Sequence, residues 1–525
     1  MTEFLSLNNA TGIHIIITQN MTKILYGAAV QGIQGFIFQT NTLKEIIGAS
    51  ELVERVCTSA FAEQIGSDVD SLVKDENMII MAAGNILYVF NDEDKCRNTV
   101  LNFPKKVMDM APGITISQAT VAIENDDDFL RASEELQRRL RIQRNKPVRP
   151  LTLGLLGMRR SRQTGLPAIY NSDGDFSDMA TLAKLEAEKE LRANDTSDSG
   201  LAAKNFGEKA LESMKTVRAI DDLTGRNDWV AIIHADGNGL GQIVQKIGSD
   251  RQLYKDFSSM LNLATVASAQ EAFSSVYPPE ERVQGQKIQI RPIVLNGDDH
   301  TVIIRGDLAV KYAESFLTAF ERNTKTNFSS LKSSNPEVKG LLGDGLTACA
   351  GIAFIKSSFP FYFGYNLAEG LCSYAKTEAK KLNPTLAPSC LMFHKVQDSF
   401  IENYNDIAER ELRPQRDISF QFGPYYLHER VGESAMTIGK LLDITNKLNS
   451  EEGYAIKSHL RKWLDTLHRI DGTSRGVQEI DRLKSICPNQ PLIDSCIKEY
   501  GRDNTRFYPT YDIMALSAIL FLETK

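Results

Sequence analysis

The sequence lacks the close cysteine pairs that usually hold zinc. No Cys-x-x-C occurs among its cysteines, which are dispersed and odd in number: Cys57, Cys96, Cys349, Cys372, Cys390, Cys487 and Cys496. Structural zinc sites are built from paired ligands, whereas single, scattered thiols are typical of proteins in a reducing compartment. The pattern therefore predicts a protein of the reducing cytosol that binds no zinc.

Long apolar runs and an excess of positive charge are also absent. No stretch approaches the ~18 residues of a membrane span, and the first residues show neither a basic segment nor a long apolar core. The formal net charge is −7, so the chain as a whole does not attract nucleic acid. We therefore expect a cytoplasmic protein without a membrane partner, whose contacts with nucleic acid come only from a local patch or a partner subunit.

Two segments show the same order of predicted elements. Residues 22–150 and 227–400 each follow the order strand, helix, strand, strand, helix, strand, which is the ferredoxin-like arrangement. A chain of 525 residues is expected to contain about two to four domains. We predict an α+β fold with these two tandem domains, a helical linker over 151–226, an α-helical module over 401–525 and a loosely held leader over 1–21.

The most informative segment is an acidic corner between two apolar runs. Asn296–Asp299, with the sequence Asn-Gly-Asp-Asp, lies between residues 288–295 and 301–304. This pattern predicts a β-hairpin. Adjacent carboxylates at a hairpin tip are costly unless a cation lies against them, and a hard divalent ion is the usual partner. The corner therefore predicts a metal site.

A second acidic turn follows another predicted buried strand. Asp236–Gly241 has the sequence Asp-Gly-Asn-Gly-Leu-Gly. In a ferredoxin-like domain the strand before this turn pairs with the strand after the acidic corner. We therefore expect Asp236, Asp298 and the carbonyl of Gly237 to bind Mg²⁺ or Mn²⁺, with Asp299 as a third ligand or as a group that orients the first two.

The order of elements is that of a nucleotidyl-transferring domain, in which two metal ions clamp the attacking 3′-hydroxyl and the leaving pyrophosphate. We predict Asp236, Asp298 and Asp299 as catalytic residues. The predicted nucleotide-binding residues combine turn residues with two lysines on one helical face: Gly237, Asn238, Gly239, Gly297, Lys376 and Lys380. Two alternatives stay open: acidic turn formers without a metal, and a solvated lysine face, which we prefer for Lys381.

A basic segment and two histidines are less specific. No acidic residue falls between Leu136 and Arg162, where the basic residues are Arg138, Arg139, Arg141, Arg144, Lys146, Arg149, Arg159, Arg160 and Arg162. This segment is a candidate contact for RNA or a partner, although a solvated helix end explains it equally well. His234 and His300 flank the acidic turns, and we expect both to be hydrogen-bonded structural residues.

With these motifs in place, the sequence resembles the large polymerase-cyclase subunit of type III CRISPR effector complexes (the Csm/Cmr class). The similarity begins in the first domain at residues 32–38 and 44–52. It continues at His234–Gly241 and at Asn296–Asp299, which stands where that family has Gly-Gly-Asp-Asp. The helical C-terminal module also fits.

The resemblance implies an activity. Family members bind two ATP molecules between paired palm domains and join them 3′–5′ into cyclic oligoadenylates. Gly48 and Ser50 would belong to the nucleotide pocket of the first palm, while residues 83–85 (Ala-Gly-Asn) stand there in place of the metal-binding corner. We therefore expect a degenerate first palm and a catalytic second palm. Implied partners are effector-complex protein subunits and guide or target RNA.

Three departures qualify this resemblance. Asn296 replaces the first signature glycine, although Asn tolerates left-handed backbone. Residues 158–163 lack the cysteine pair of the family's zinc knuckle, and no His-Asp pair of an HD nuclease domain is found. An alternative function is a catalytically weak scaffold that binds RNA and partner proteins. The three intact carboxylates favour the enzyme.

Overall fold

A computed structural model describes most of the chain. The residues it describes are 23–82, 84–123, 129–146, 157–170, 176–193, 200–224, 229–247, 250–334, 342, 345–397, 403–429, 435–469, 472–487, 489–502 and 504–520. The predicted leader, Ala83 and Arg149 lie outside these ranges. Among the described residues, no helix combines the length and apolar character that crossing a membrane requires.

The first unit is a four-stranded antiparallel sheet with helices. Its strands are β1 (Lys23–Gln31), β2 (Met78–Ala82), β3 (Asn85–Phe90) and β4 (Thr115–Ile123). Its helices are α1 (Ile33–Ile37), α2 (Leu43–Cys57), α3 (Ser59–Ile65), α4 (Val69–Lys74), α5 (Glu93–Met110) and α6 (Phe129–Arg144). The sheet order is β2-β3-β1-β4, which is the ferredoxin-like order.

Short elements connect this unit to the next. They are β5 (Ile169–Tyr170), β6 (Phe176–Ser177), α7 (Met179–Ala193), α8 (Leu201–Phe206), α9 (Glu208–Ser213), β7 (Lys215–Thr216) and α10 (Ile220–Thr224). Helix α7 packs on α2 of the first unit. The approach is close, because a Cβ on Gly48 would overlap the carbonyl oxygen of Lys184.

The second unit repeats the arrangement on a larger scale. In chain order it comprises β8 (Trp229–Gly237), α11 (Leu240–Ile247), α12 (Arg251–Val276), β9 (Lys287–Ile288), β10 (Ile290–Asn296), β11 (Asp299–Arg305), α13 (Ala309–Asn327), α14 (Ser329–Ser334), β12 (Ala348–Lys356), α15 (Phe361–Leu382) and β13 (Cys390–Lys395). Its sheet order begins β10-β11-β8-β12, which is again ferredoxin-like. The predicted α+β class with two such units is confirmed.

The C-terminal region is mostly helical. It contains α16 (Tyr404–Glu411), β14 (Ile418–Ser419), β15 (Tyr425–Tyr426), α17 (Ile438–Leu448), α18 (Glu451–Leu467), α19 (Gly472–Ile486), α20 (Gln490–Cys496), β16 (Tyr500–Arg502), β17 (Thr505–Phe507) and α21 (Thr510–Leu520). The predicted α-helical module thus also contains short strands. Strands β14, β17 and β16 form a small sheet, and β15 extends the second unit's sheet through β13. Strands of two or three residues are too short to show a period-two pattern.

The residues of β8 alternate between two hydrophobic clusters. Ala231 and Ile233 pack in the cluster of α12 and α13, whereas Val230 and Ile232 pack in the cluster of α15. Because successive side chains of a strand point to opposite faces, His234 and Asp236 lie on the face covered by α15. This helix therefore lies over the predicted metal turn.

The two units can be compared through their strand registers. In the second, His300 pairs with Ala235, and continuing that register places Asp299 opposite Asp236. In the first, Asn85 pairs with Ala29 at the corresponding place. Two carboxylates of the second unit thus correspond to an amide and a methyl group in the first.

Asp512 links the C-terminal helix α21 to the extended sheet. The hydroxyl of Tyr425 donates to its carboxylate over 2.7 Å, and both side chains are buried. Burial outweighs this hydrogen bond and raises the pKa of Asp512 to about 7. The folded state therefore holds a proton that the unfolded chain releases near pH 4.

We accordingly expect the free energy of unfolding to fall as pH rises from about 4 to about 7. Asp512→Asn keeps an acceptor for Tyr425 without an ionisable group. It should therefore remove this pH dependence of the unfolding free energy and leave the variant more stable than the parent above pH 7. Urea unfolding of both proteins between pH 5 and pH 8 measures the difference. Parallel pH profiles would contradict the prediction.

Candidate active site

The site is built where β8 ends beside the β10–β11 hairpin. Asp236 is the second-last residue of β8, and Asp298 lies at the hairpin tip next to it. Gly237 makes this approach possible, because a Cβ there would lie 3.0 Å from the Cβ of Asp298. The predicted juxtaposition of Asp236, Asp298 and Asp299 is therefore present in the structure.

The hairpin tip is a two-residue loop, Gly297-Asp298. Asn296 still belongs to β10 and pairs with Asp299, so the turn does not draw on the tolerance of Asn for left-handed backbone. Gly297 alone has positive φ, +61°, which suits glycine at the first position of a tight hairpin. Thr265 of α12 donates its hydroxyl to the Gly297 carbonyl over 2.5 Å, which ties the tip to the helix below.

The turn after β8 is fixed by Asn238. Its side-chain amide donates to Thr347 Oγ1 over 3.1 Å and to the carbonyl of Ala387 over 3.4 Å, and its Oδ1 accepts from the thiol of Cys349. Asn238 is predicted to bind nucleotide, yet its side chain is fully used in holding the turn. Gly239, with φ +74°, completes the turn into α11.

Lys376 of α15 reaches the two groups predicted to hold metal. Its ammonium bonds to Asp236 Oδ2 and donates to the carbonyl oxygen of Gly237 over 2.8 Å. Burial lowers the pKa of Lys376, but the charge and hydrogen bond of Asp236 outweigh it, so the net pKa is raised. A cationic group thus lies at the position expected for a metal ion.

A cleft of about 430 Å³ opens beside these residues. It is lined by most of the predicted set: Asp236, Gly237, Asn238, Gly239, Asp298, Lys376 and Lys380. Its far wall is the segment 384–387, which follows α15. Lys376 and Lys380 are one helical turn apart and face the same cleft, whereas Lys381 points away and pairs with Glu378, as expected.

Three carboxyl groups are crowded together at one end of the cleft. Burial, followed by repulsion from Asp299 and Asp236, raises the pKa of Asp298 well above its ordinary value. Burial and the charge of Asp236 likewise raise the pKa of Asp299, although the Lys376 ammonium opposes this. Crowded carboxylates of this kind are stabilised by cations, which is the property a metal site needs.

The donor set fits a hard divalent ion. Asp236, Asp298 and the Gly237 carbonyl supply oxygen atoms, which Mg²⁺ and Mn²⁺ prefer. Ligand atoms of His234, Asp236 and Asp299 also lie within 4.8 Å of one another. Among the described residues, this is the one group of at least three such side chains with that spacing. The sequence predicts a structural role for His234, whereas its place two residues before Asp236, on the same face of β8, is the pattern that could indicate a ligand.

Both histidines have hydrogen-bond partners. His300 is fully buried, its Nε2 lies 2.8 Å from the hydroxyl of Tyr312, and burial lowers its pKa to about 3. The structural role expected for His300 is confirmed. His234 Nδ1 lies 3.0 Å from Thr301 Oγ1, and burial lowers the pKa of His234 to about 4.

Gly48 and Ser50 lie elsewhere. Neither lines the cleft. Ser50 is buried and donates its hydroxyl to the carbonyl of Ile293 in β10, while Gly48 packs against the backbone of Lys184. The structure gives both residues packing contacts between units, because α2 is covered by α7 and β10.

The basic segment is partly neutralised within the chain. Glu135, one residue before the stretch without acidic residues, pairs with Arg138 and Arg139. Arg159 lies 3.7 Å from the centre of the Phe176 ring, and Arg160 donates to the carbonyl of Gly165. These contacts favour the structural explanation for the four arginines.

Comparison with known proteins finds a family match over part of the chain. Residues 229–383 match the family described as Cas10/Cmr2, second palm domain. That segment begins at the first residue of β8 and ends just after α15, so it contains all three carboxylates and both lysines of the cleft. No curated protein sequence matches the chain.

Solved structures resemble most of the chain. A Csm1–Csm4 cassette in complex with cA4 has a TM-score of 0.55 at 12% identity, over 95% of this chain and 69% of that one. The cassette in complex with pppApA has a TM-score of 0.55 at 14% identity, over 96% and 69%. The Csm1–Csm4 subcomplex of the type III-A CRISPR-Csm interference complex has a TM-score of 0.53 at 12% identity, over 95% and 69%.

At these identities the structures establish the shared fold, and the family match covers the segment that holds the site. Residues 229–383 therefore resemble the second palm domain of the Cas10/Cmr2 family, and the chain shares its fold with the Csm1–Csm4 structures.

Proposed function

We propose that this protein is a nucleotidyltransferase that converts ATP into cyclic oligoadenylate-type second messengers in CRISPR-type antiviral defence. The observation that carries the proposal is the cleft in which Asp236 and Asp298 meet Lys376 and Lys380. Carboxylates at one end and ammonium groups along the wall match a metal–triphosphate substrate.

Each group has a distinct role in this proposal. Bound divalent ions would supply the charge that activates the 3′-hydroxyl and stabilises the leaving pyrophosphate. Asp236, Asp298 and the Gly237 carbonyl would hold them, and Asp299 would complete or orient the set. Lys376 and Lys380 would bind the triphosphate oxygens, while Gly239 lets the backbone approach the phosphates closely.

ATP is the favoured substrate by analogy. Structures with the same fold are Csm1–Csm4 cassettes in complex with AMPPNP and with cA4. Related assemblies also suggest a Csm4-like subunit as a partner for this chain, with guide or target RNA in the same complex. The alternative is a catalytically weak scaffold, but the arginines offered for RNA contact are partly engaged within the chain.

The experiment that tests the proposal is incubation of the purified chain with each labelled nucleoside triphosphate and Mg²⁺ or Mn²⁺. Products are identified by mass spectrometry, beside the double variant Asp298→Ala/Asp299→Ala. A cyclic or linear oligonucleotide made only by the parent protein supports the proposal. Absence of product, even with candidate RNA and partner subunits present, would favour the scaffold.

Substitution of Lys376 should separate nucleotide binding from metal binding. In Lys376→Met, loss of the ammonium removes a triphosphate contact, so product formation should fall by about 10²-fold. Without nucleotide, the same change frees Asp236 and the Gly237 carbonyl, so Mn²⁺ should bind more tightly. Product assays and Mn²⁺ titration followed by electron paramagnetic resonance measure the two effects.

Lys381→Met is the matched control, since Lys381 pairs with Glu378 on the outer face of the same helix. It should leave both quantities unchanged. Weaker Mn²⁺ binding in Lys376→Met would show that the ammonium does not compete with the metal.

A further inference from the structure

A histidine on the α15 side of the site gives it a second set of metal ligands. We name the set of Asp236, Asp298 and the Gly237 carbonyl the oxygen position. We name the set of His234, Asp236 and Asp299 the mixed position. We infer that the mixed position binds a divalent transition-metal ion through the imidazole nitrogen of His234. This inference rests on the metal-dependent function proposed above and extends it to the choice of metal.

The spacing of the ligand atoms supports the mixed position. The atoms of His234, Asp236 and Asp299 lie within 4.8 Å of one another. Three atoms within this distance of one another lie at most about 2.8 Å from a common centre, whereas metal–ligand bonds are about 2.1 Å long. Shifts of at most about 0.7 Å therefore bring all three onto one ion.

The imidazole is oriented as a ligand requires. His234 is 9% exposed, and its Nδ1 lies 3.0 Å from the hydroxyl of buried Thr301. Metal-binding histidines generally engage their second ring nitrogen in this way, which fixes the ring and its tautomer. The ring of Tyr365 lies edge-on at 5.7 Å and packs against the imidazole. Nε2 is therefore the nitrogen left for a ligand.

The two positions share Asp236 and are otherwise distinct. Lys376 bonds to Asp236 Oδ2 and to the Gly237 carbonyl, both of the oxygen position. A carboxylate shared by two ions about 3.5–4 Å apart is usual in two-metal sites. The oxygen position suits Mg²⁺, whereas a nitrogen ligand raises affinity for first-row transition ions. The mixed position should therefore take Mn²⁺ in preference to Mg²⁺.

Electron spin echo envelope modulation of the full chain with Mn²⁺ alone, without nucleotide, tests this directly. We expect a nitrogen coupling typical of imidazole, which changes when only the histidines carry ¹⁵N. His234→Asn keeps a polar group near Thr301 and should abolish the coupling. It should weaken Mn²⁺ binding at the mixed position by at least about tenfold. The affinity of the oxygen position for Mg²⁺, measured by competition with Mn²⁺, should stay nearly unchanged.

His300→Asn is the matched control, because His300 is a buried neighbour of Asp299 whose ring is engaged by Tyr312. It should keep the coupling. The isotope experiment on the unsubstituted chain needs no variant and remains decisive if His234→Asn fails to fold. Bound Mn²⁺ without imidazole coupling would overturn the inference and leave the cyclase proposal standing. A chain that binds Mn²⁺ with this coupling but makes no product, even with candidate RNA and partner subunits present, would support the inference and favour the scaffold.

Discussion

Asp298→Asn is expected to reduce product formation by on the order of 10³-fold or more, because it removes a carboxylate that would bind catalytic metal. The amide has nearly the same shape, so the hairpin and its contact with Thr265 should remain. The product assay with Mg²⁺ or Mn²⁺, performed at saturating ATP, measures the loss.

The same substitution should also stabilise the metal-free protein. Asp298 is crowded by Asp299 and Asp236, and its pKa is raised. A neutral side chain relieves that repulsion, so the thermal unfolding midpoint in EDTA above pH 8 should rise. Such opposite effects on activity and stability are typical of active sites.

Asp443→Asn serves as control, since this carboxylate forms an exposed ion pair with Lys447 on α17. It should change neither activity nor midpoint appreciably. If Asp298→Asn kept the parent's activity, Asp298 would not be a catalytic metal ligand.

Gly351→Ala is expected to destabilise the protein by about 2–3 kcal/mol or more. Gly351 lies on β12, opposite His234 in the register, where α15 crosses the sheet. A Cβ there would overlap the carbonyl oxygen of Ala368 and lie 2.5 Å from the amide nitrogen of Cys372. Both belong to the backbone of α15, so the helix must move away from the sheet.

That movement carries Lys376 away from Asp236. We therefore expect the folded fraction of the variant to lose about 10²-fold in product formation, since misplacing a positioning group by about 1 Å can have this effect. Urea unfolding gives the stability, and the product assay is normalised to the folded protein.

Gly370→Ala provides a control on the same helix. The nearest atom to a Cβ there is Tyr404 Cβ at 3.9 Å, an ordinary contact. Alanine in a helix is favoured over glycine by about 0.5–1 kcal/mol, so this variant should be slightly more stable. Equal stability of the two alanine variants would contradict the expected overlap between a side chain at position 351 and the backbone of α15.

The regular elements and the acidic corners were predictable because their information is local. Apolar runs around Ile232 and Val302 mark strands, and Asp and Gly between such runs mark turns. Once both units are assigned the ferredoxin-like order, pairing of β8 with β11 follows, and Asp236 and Asp298 must meet. Lys376 and Lys380 share a face for the same reason, since helical periodicity is a local property.

Several contacts could not be predicted in this way. Gly48 and Ser50 have the residue types of a nucleotide pocket, but α7 and β10 cover them. Glu135 lies just outside the basic segment, and only the helix geometry brings it to Arg138 and Arg139. Strand β15 is too short to leave a pattern and is defined by its pairing with β13.

The sequence by itself determined the two α+β units, the place of the acidic hairpin and the carboxylates at its tip, because strand and turn patterns are set by neighbouring residues. Only the tertiary structure decided which groups face those carboxylates. Lys376 meets Asp236 across 140 residues of sequence because Gly351 lets α15 pack directly on β12. His234 joins the same group because Thr301, on the neighbouring strand, orients its ring. Contacts of this range depend on how helices pack on the sheet, which no local pattern records.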